Sequence, residues 1–144
     1  MDRRNFFKSS CGACAAMGIG LVLGSGFLES CASGKGLSVL KTSANDGKVR
    51  IPLEGFATNS FKLLRVNGYN FDIAVQQKED ETYSAMMMVC THAKHPLTKA
   101  GSGYYCTLHG SKFNSDGKVE KGPASKPMVQ LNTEISEGDL LIIL

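Results

Sequence analysis

From residue 45 onward the apolar positions recur with a period near two, and no segment there sustains a helical repeat. Tyr69, Phe71, Ile73 and Val75 alternate with Asn70, Asp72 and Ala74, which predicts a half-buried strand. Phe61 to Val66 predicts the strand before it. Asn67-Gly68 between them signals a hairpin, because both residue types tolerate the positive φ of a tight turn. Thr82 to Val89 predicts another strand, which runs directly into a segment beginning at Cys90. Asp116-Gly117 marks a further turn, and Met128 to Ile135 with Leu140 to Leu144 predicts a closing hairpin around Glu137-Gly138. The last run is apolar enough to be buried on both faces. The expected architecture is all-β: a small antiparallel sandwich or barrel carrying a loop-built subdomain.

The first thirty residues break this pattern. Ser9 to Leu28 carries no charge, contains Met17, Ile19, Leu21, Val22 and Leu23, and follows Arg3, Arg4 and Lys8. A basic start before an apolar stretch is the layout of a targeting segment. Met1-Asp2-Arg3-Arg4-Asn5-Phe6-Phe7-Lys8 resembles a twin-arginine export signal, although Asp2 and Phe7 depart from its commonest form. Leu28-Glu29-Ser30-Cys31 resembles the box recognised by lipoprotein signal peptidase, with Glu29 atypical and Cys31 as the residue to be acylated. The alternative is an uncleaved membrane span, which twenty residues could provide, but five glycines between Gly12 and Gly26 dilute its hydrophobicity. Residues 1–31 are therefore expected to be an export signal, 32–48 a Ser/Gly/Lys/Asn-rich tether, and 49–144 the folded domain. The expected location is the periplasmic face of a bacterial membrane, with anchoring through a lipid on Cys31 or through the N-terminal span.

Composition narrows the class. Residues 32–144 hold 13 basic and 11 acidic side chains, and no basic stripe suggests nucleic acid as a partner. About 110 residues suffice for one small core. Five cysteines, at 11, 14, 31, 90 and 106, make a poor disulfide framework. Cys11 and Cys14 form a C-x2-C pair, but inside the apolar leader it is read as chance.

The chemistry lies in two short segments. Cys90-Thr91-His92 is followed, thirteen residues later, by Cys106-Thr107-Leu108-His109-Gly110-Ser111, so each offers one thiolate and one imidazole. A structural zinc could use two cysteines and two histidines, but zinc sites usually open with C-x2-4-C and close with H-x3-5-H, and neither spacing occurs here. With Gly122-Pro123-Ala124 as a third, covering loop, residues of roughly 45 to 144 resemble the Rieske iron-sulfur domain family. The resemblance implies a Rieske-type β-fold and a 2Fe-2S cluster with Cys90, His92, Cys106 and His109 as its metal ligands. With two thiolates and two neutral imidazoles an oxidised cluster is formally uncharged, whereas four thiolates would leave two negative charges. An added electron is then less repelled, and the reduction potential rises relative to plant-type ferredoxins.

The family pattern carries over to single positions. In high-potential members an extra cysteine on each loop forms a disulfide; the matching positions here are His95 and Leu108, so that bridge is absent. Ser111 matches a serine whose hydroxyl bonds the cluster, while Phe113 replaces a tyrosine that donates to a ligand thiolate. The resemblance therefore implies a potential between those of ferredoxin-like and quinol-oxidising groups, with His92 and His109 exposed at the tip as the electron path. His95, the remaining histidine, is expected to be a solvated loop residue.

The function implied is single-electron transfer, without enzyme activity of its own. The carrier is membrane-tethered and serves a redox partner protein or a membrane complex, with quinol among the compatible donors. A Rieske oxygenase needs a second iron held by two histidines and a carboxylate, and this chain has one histidine to spare. A zinc-stabilised lipoprotein with a structural or binding role is the alternative of another class.

Overall fold

The computed structural model of the protein describes residues 37–144; the expected export signal, Cys31 and the start of the tether lie outside the described residues. Among the described residues eleven strands form two sheets. In chain order they are β1 Val39–Thr42, β2 Lys48–Pro52, β3 Phe61–Val66, β4 Asp72–Gln77, β5 Tyr83–Met87, β6 Thr98–Ala100, β7 Gly103–Tyr105, β8 Lys112–Phe113, β9 Val119–Lys121, β10 Gln130–Ser136 and β11 Asp139–Ile143. The larger sheet runs β1-β3-β4-β5-β10-β11-β2 and bends into a nearly closed barrel, while β6-β7-β8-β9 make a separate four-stranded sheet. Among the described residues no helix is long and apolar enough to cross a membrane, and one 3-10 turn, Leu53–Phe56, is the helical segment.

The barrel core follows from the period of two. Val49 and Ile51, Leu64 and Val66, Ile73 and Val75, Leu140 and Ile142 are four i, i+2 pairs from four strands, and all are buried in one cluster. Side chains on successive strand residues point to opposite faces, so each pair lands on the same side. Each fully buried side chain of this kind contributes about 1.5–3 kcal/mol. Phe56 and Tyr83 close one side of the cluster edge to face, with ring centroids 4.9 Å apart.

Three expectations change here. First, Val39–Thr42, inside the segment expected to be a tether, is a strand that pairs in parallel with β3, so the sheet is not antiparallel throughout. Second, β4 begins at Asp72, because Arg65 pairs with Asp72 and residues 67–71 form the connection. Asn67-Gly68 still starts that turn, with Tyr69 N–H donating to the Val66 carbonyl and Gly68 at φ +85°.

Third, β4 is buried on both faces. Ala74 pairs with Met86 of β5, and both belong with Met88, Cys90, Cys106, Phe113 and Met128 to a second core. The β4–β5 ribbon is thus shared, with Ile73, Val75 and Ala85 facing the barrel and Ala74 and Met86 facing the subdomain. Met86, Met88 and Met128 fill this second core, where adaptable unbranched side chains suit irregular space.

The subdomain sheet depends on a close approach. A Cβ on Gly103 would collide with the Phe113 main-chain oxygen on the neighbouring strand. We expect Gly103→Ala to destabilise the protein by about 1–3 kcal/mol, the range for overpacking, as measured by the shift of its urea midpoint. Gly55→Ala, where the nearest neighbour is the mobile end of Lys62, should cost less.

Candidate metal centre

Both Cys/His segments are closed by the same two main-chain hydrogen bonds. In the first, Cys90 N–H donates to the His95 carbonyl and Lys94 N–H donates back to the Cys90 carbonyl, each at 2.8 Å. In the second, Cys106 N–H donates to Ser111 and Gly110 N–H donates back to Cys106, each at 2.9 Å. The residue at the fifth position turns the chain through positive φ in both, Lys94 at 53° and Gly110 at 78°. The loops are backbone copies of each other, whereas their histidines sit at different positions, His92 third and His109 fourth. Strand β5 delivers the first loop and β7 the second, because Met87 and Tyr105 end their strands just before it.

This geometry sorts the four side chains by type. Cys90 and Cys106 are fully buried free thiols that belong to one core cluster, and the Cys106 side chain helps to lower the Cys90 thiol. His92 and His109 are exposed, with ring centroids 4.9 Å apart and planes at 76°. Two sulfurs therefore meet inside and two imidazoles meet outside. Among the described residues no three metal-binding side chains converge as a site for a single ion. A binuclear centre, with two ligands for each metal, fits the donors that are present. Burial alone would raise the Cys90 thiol, but hydrogen bonds from the His92 and Ala93 N–H groups and from the Cys106 and Ser111 side chains bring it below its ordinary value. The thiolate is the form that binds metal.

Ser111 joins the centre to the third loop. It is fully buried, and its Oγ accepts from Ala124 N–H at 3.0 Å while its hydroxyl serves Cys90. Thr91 makes a second tie, donating from Oγ1 to the Lys126 carbonyl at 2.6 Å. Beneath, Phe113 is buried against Tyr104, whose phenol is pushed up to about 12 by burial, with a contribution from Asp116.

One contact was not anticipated. His95, expected to be solvated, is half-buried, and its Nε2 lies 3.3 Å from Thr107 Oγ1 on the other loop. It spans the two loops at the position where the family's high-potential members place a disulfide cysteine. The hydropathy pattern gave no signal of this, because a polar pair twelve residues apart has no periodicity.

The family profile described as "Rieske [2Fe-2S] domain" matches residues 54–134. The chain is 30% identical over 82 residues to the cytochrome b6-f complex iron-sulfur subunit of Gloeobacter violaceus, covering 55% of this chain and 44% of that protein. It is 38% identical over 58 residues to the mitochondrial cytochrome b-c1 complex subunit Rieske of Rattus norvegicus, covering 38% of this chain and 21% of that protein. Among solved structures, the cyanobacterial plasma membrane Rieske protein of Synechocystis superposes with a TM-score of 0.53 at 22% identity, over 65% of this chain and 95% of that one. At that identity the likeness is one of fold.

Replacing Ser111 with alanine would leave the Ala124 N–H buried without a partner. We expect Ser111→Ala to lower stability by about 1–3 kcal/mol in urea unfolding of the metal-loaded protein, with Ser111→Thr less costly because it keeps the acceptor.

Proposed function

The chain belongs to the Rieske [2Fe-2S] domain family and carries a 2Fe-2S cluster, and from that premise we propose that it is a membrane-tethered single-electron carrier. In this reading Cys90 and Cys106 would hold one iron, and His92 and His109 would hold the other. The observation that carries it is the sorting of the donors, buried thiols paired on one side and exposed imidazoles paired on the other. Bound there, the cluster supplies reversible one-electron transfer.

The chain's own residues set the conditions for that step. Buried around Cys90 and Cys106, the second core excludes water from the sulfurs. Ser111 supplies one hydrogen bond on the sulfur side, and Phe113, fully buried in the tyrosine position, supplies none. Hydrogen bonds to the ligand sulfurs stabilise the more negative, reduced state, so retaining one of the two argues for an intermediate potential. His92 and His109, at the surface, provide the electron path to a partner.

Its partner in this proposal is another redox protein or a membrane complex, with quinol among the compatible donors. The curated relatives named above are subunits of cytochrome b6-f and b-c1 complexes, and this supports a complex as the setting. Residues 1–31 would export the chain by the twin-arginine route, which moves folded, metal-loaded cargo. A lipid on Cys31 would then tether it on the periplasmic side through the segment before β1.

Iron and sulfide analysis with EPR of the dithionite-reduced protein tests the centre. We expect two irons and two sulfides per chain and a reduced-cluster signal; a colourless, zinc-containing, EPR-silent protein overturns the reading. Redox titration should place the midpoint inside the range of roughly −150 to +300 mV spanned by such centres. Ser111→Ala should lower it and Phe113→Tyr raise it, each by on the order of 50–100 mV, the equivalent of one charge-assisted hydrogen bond. Mass spectrometry of the membrane-extracted chain tests the anchor: we expect an acylated N-terminal Cys31, and an intact peptide from Met1 to Leu28 would rule that out.

A further inference from the structure

Charge is divided unevenly between the two parts of the fold. Residues 89–128, which contain all three loops, hold six lysines and two acidic residues, a net charge of +4. Residues 37–88 and 129–144, which form the barrel, hold six basic and nine acidic side chains, a net charge of −3. The domain is therefore a dipole whose positive end is the end with the exposed histidines. Its overall charge, close to zero, conceals this.

Four lysines on or next to the three loops and their strands are not used internally. Lys94 lies two residues after His92, and the Lys126 carbonyl is held by Thr91, the residue before His92. Lys112 follows His109 by three residues and is paired across the strands with Lys121. Like charges directly opposite on a sheet are destabilising, so this pair costs stability in the isolated domain. None of the four takes part in a salt bridge among the described residues. Lys99, by contrast, is engaged over the Phe61 and Tyr104 rings, 5.2 and 5.1 Å from their centroids.

Beside the first loop the surface is also apolar. A depression of ≈ 500 Å³ is walled by Phe71, Met87, Val89 and Val129, reaches Cys90, and has Lys94 and Lys126 among its lining. Leu108, between the second loop's ligands, is 52% exposed, and Val129 is 48% exposed. Apolar contact area within a charged rim is the anatomy of a specific protein interface, with the charges serving to steer the encounter.

We propose that the histidine tip is the docking face for an acidic redox protein. Lys94 and Lys126 on one side, and Lys112 and Lys121 on the other, pair with carboxylates around its electron port. The inference rests on the electron-carrier reading and names its partner's chemistry. In the docked pair one electron leaves the reduced cluster and the partner is reduced by one electron. The dipole turns the carrier tip-first, and ionic strength controls how often it arrives so oriented.

The test uses the full chain, cluster loaded, in detergent, with polyglutamate as the probe of a carboxylate-bearing protein surface. Binding to immobilised polyglutamate should weaken roughly tenfold between low and physiological salt, and be lost in the Lys94→Glu/Lys126→Glu double variant. Oxidation of the reduced protein by ferricyanide, an anion, should slow with added salt. Oxidation by tris(phenanthroline)cobalt(III), a cation, should not slow, and in the double variant, where the net charge of residues 89–128 falls from +4 to zero, ferricyanide oxidation should no longer slow with salt. An unchanged EPR spectrum in the variant shows the centre to be intact. Absent polyglutamate binding, or equal response of the two oxidants to salt, overturns the proposal. If added phosphatidylglycerol vesicles displace polyglutamate and the same variant abolishes vesicle binding, the lysines serve a lipid surface and the proposal is also overturned. A chain without iron or EPR signal would instead defeat the electron-carrier reading, and the binding measurement separates the two failures.

Discussion

The arrangement of this domain depends on how the two cysteines are fixed from behind. Each spends its own backbone N–H and carbonyl on closing its loop, Cys90 with His95 and Lys94, Cys106 with Ser111 and Gly110. A side chain whose main chain is anchored at both polar groups has little freedom in the direction it presents its sulfur. Each such bond adds only about 1 kcal/mol net, but breaking one in a dry interior leaves a buried group unpaired at a greater cost. The positive φ at Lys94 and Gly110 is what lets a six-residue loop return on itself in this way. Glycine adopts it without strain, whereas a lysine at that angle costs roughly 1–2 kcal/mol. That Lys94 stands there is consistent with its charge serving a purpose outside the loop.

The loops would have nothing to stand on without the β4–β5 ribbon. Its two faces belong to two cores, so the barrel and the subdomain share a wall. Met88 N–H donates to the Asp72 carbonyl and Leu97 N–H to the Met88 carbonyl, so the strand that bears Cys90 is tied on both sides before the loop begins. Gly117 closes the same region: at φ +76° its missing Cβ leaves room for Met86 Sδ, which would lie 2.7 Å away. Hydrogen-bonded and closely packed strand ends thus position the loop that bears Cys90.

Much of this was legible in the residues, and the limits have physical causes. Strand-forming runs bounded by turn residues located β3 and the β10–β11 hairpin, and the unbroken apolar run in β11 matches its burial on both faces, with Leu140, Leu141 and Ile142 all buried. Period-two alternation misjudged β4: a strand covered on both faces need not alternate, and Ala74 is small enough to pass for the weakly apolar side. The aromatic residues Tyr69 and Phe71 extended the apparent pattern into what is a turn, where they meet edge to face with ring centroids 5.6 Å apart. Leu37, Val39 and Leu40 offered apolar side chains that could pack at the end of the expected tether, but strand β1 itself depends on parallel pairing with β3, a long-range contact that the local sequence does not encode. The Cys/His pattern, in contrast, is chemical rather than periodic. It named four candidate ligands without help from the fold, and the structure buries the two cysteines and leaves the two histidines exposed, with their rings 4.9 Å apart.

The absent disulfide sharpens the last step. With His95 and Leu108 in the bridge positions, the loops are tied to one another and to the third loop by polar contacts: His95 with Thr107, Thr91 with the Lys126 carbonyl, and Ser111 with Ala124 N–H. A disulfide between the loops would hold only where the surrounding redox poise keeps it oxidised, whereas these three contacts do not respond to thiol reductants. Dispersed over three partners, they also leave no single covalent bond on which the geometry rests. The same residues that secure the loops leave Leu108, His92 and His109 uncovered at the tip. A centre secured from within in this way keeps its outer face free of structural duties, so that face is available for contact with a partner.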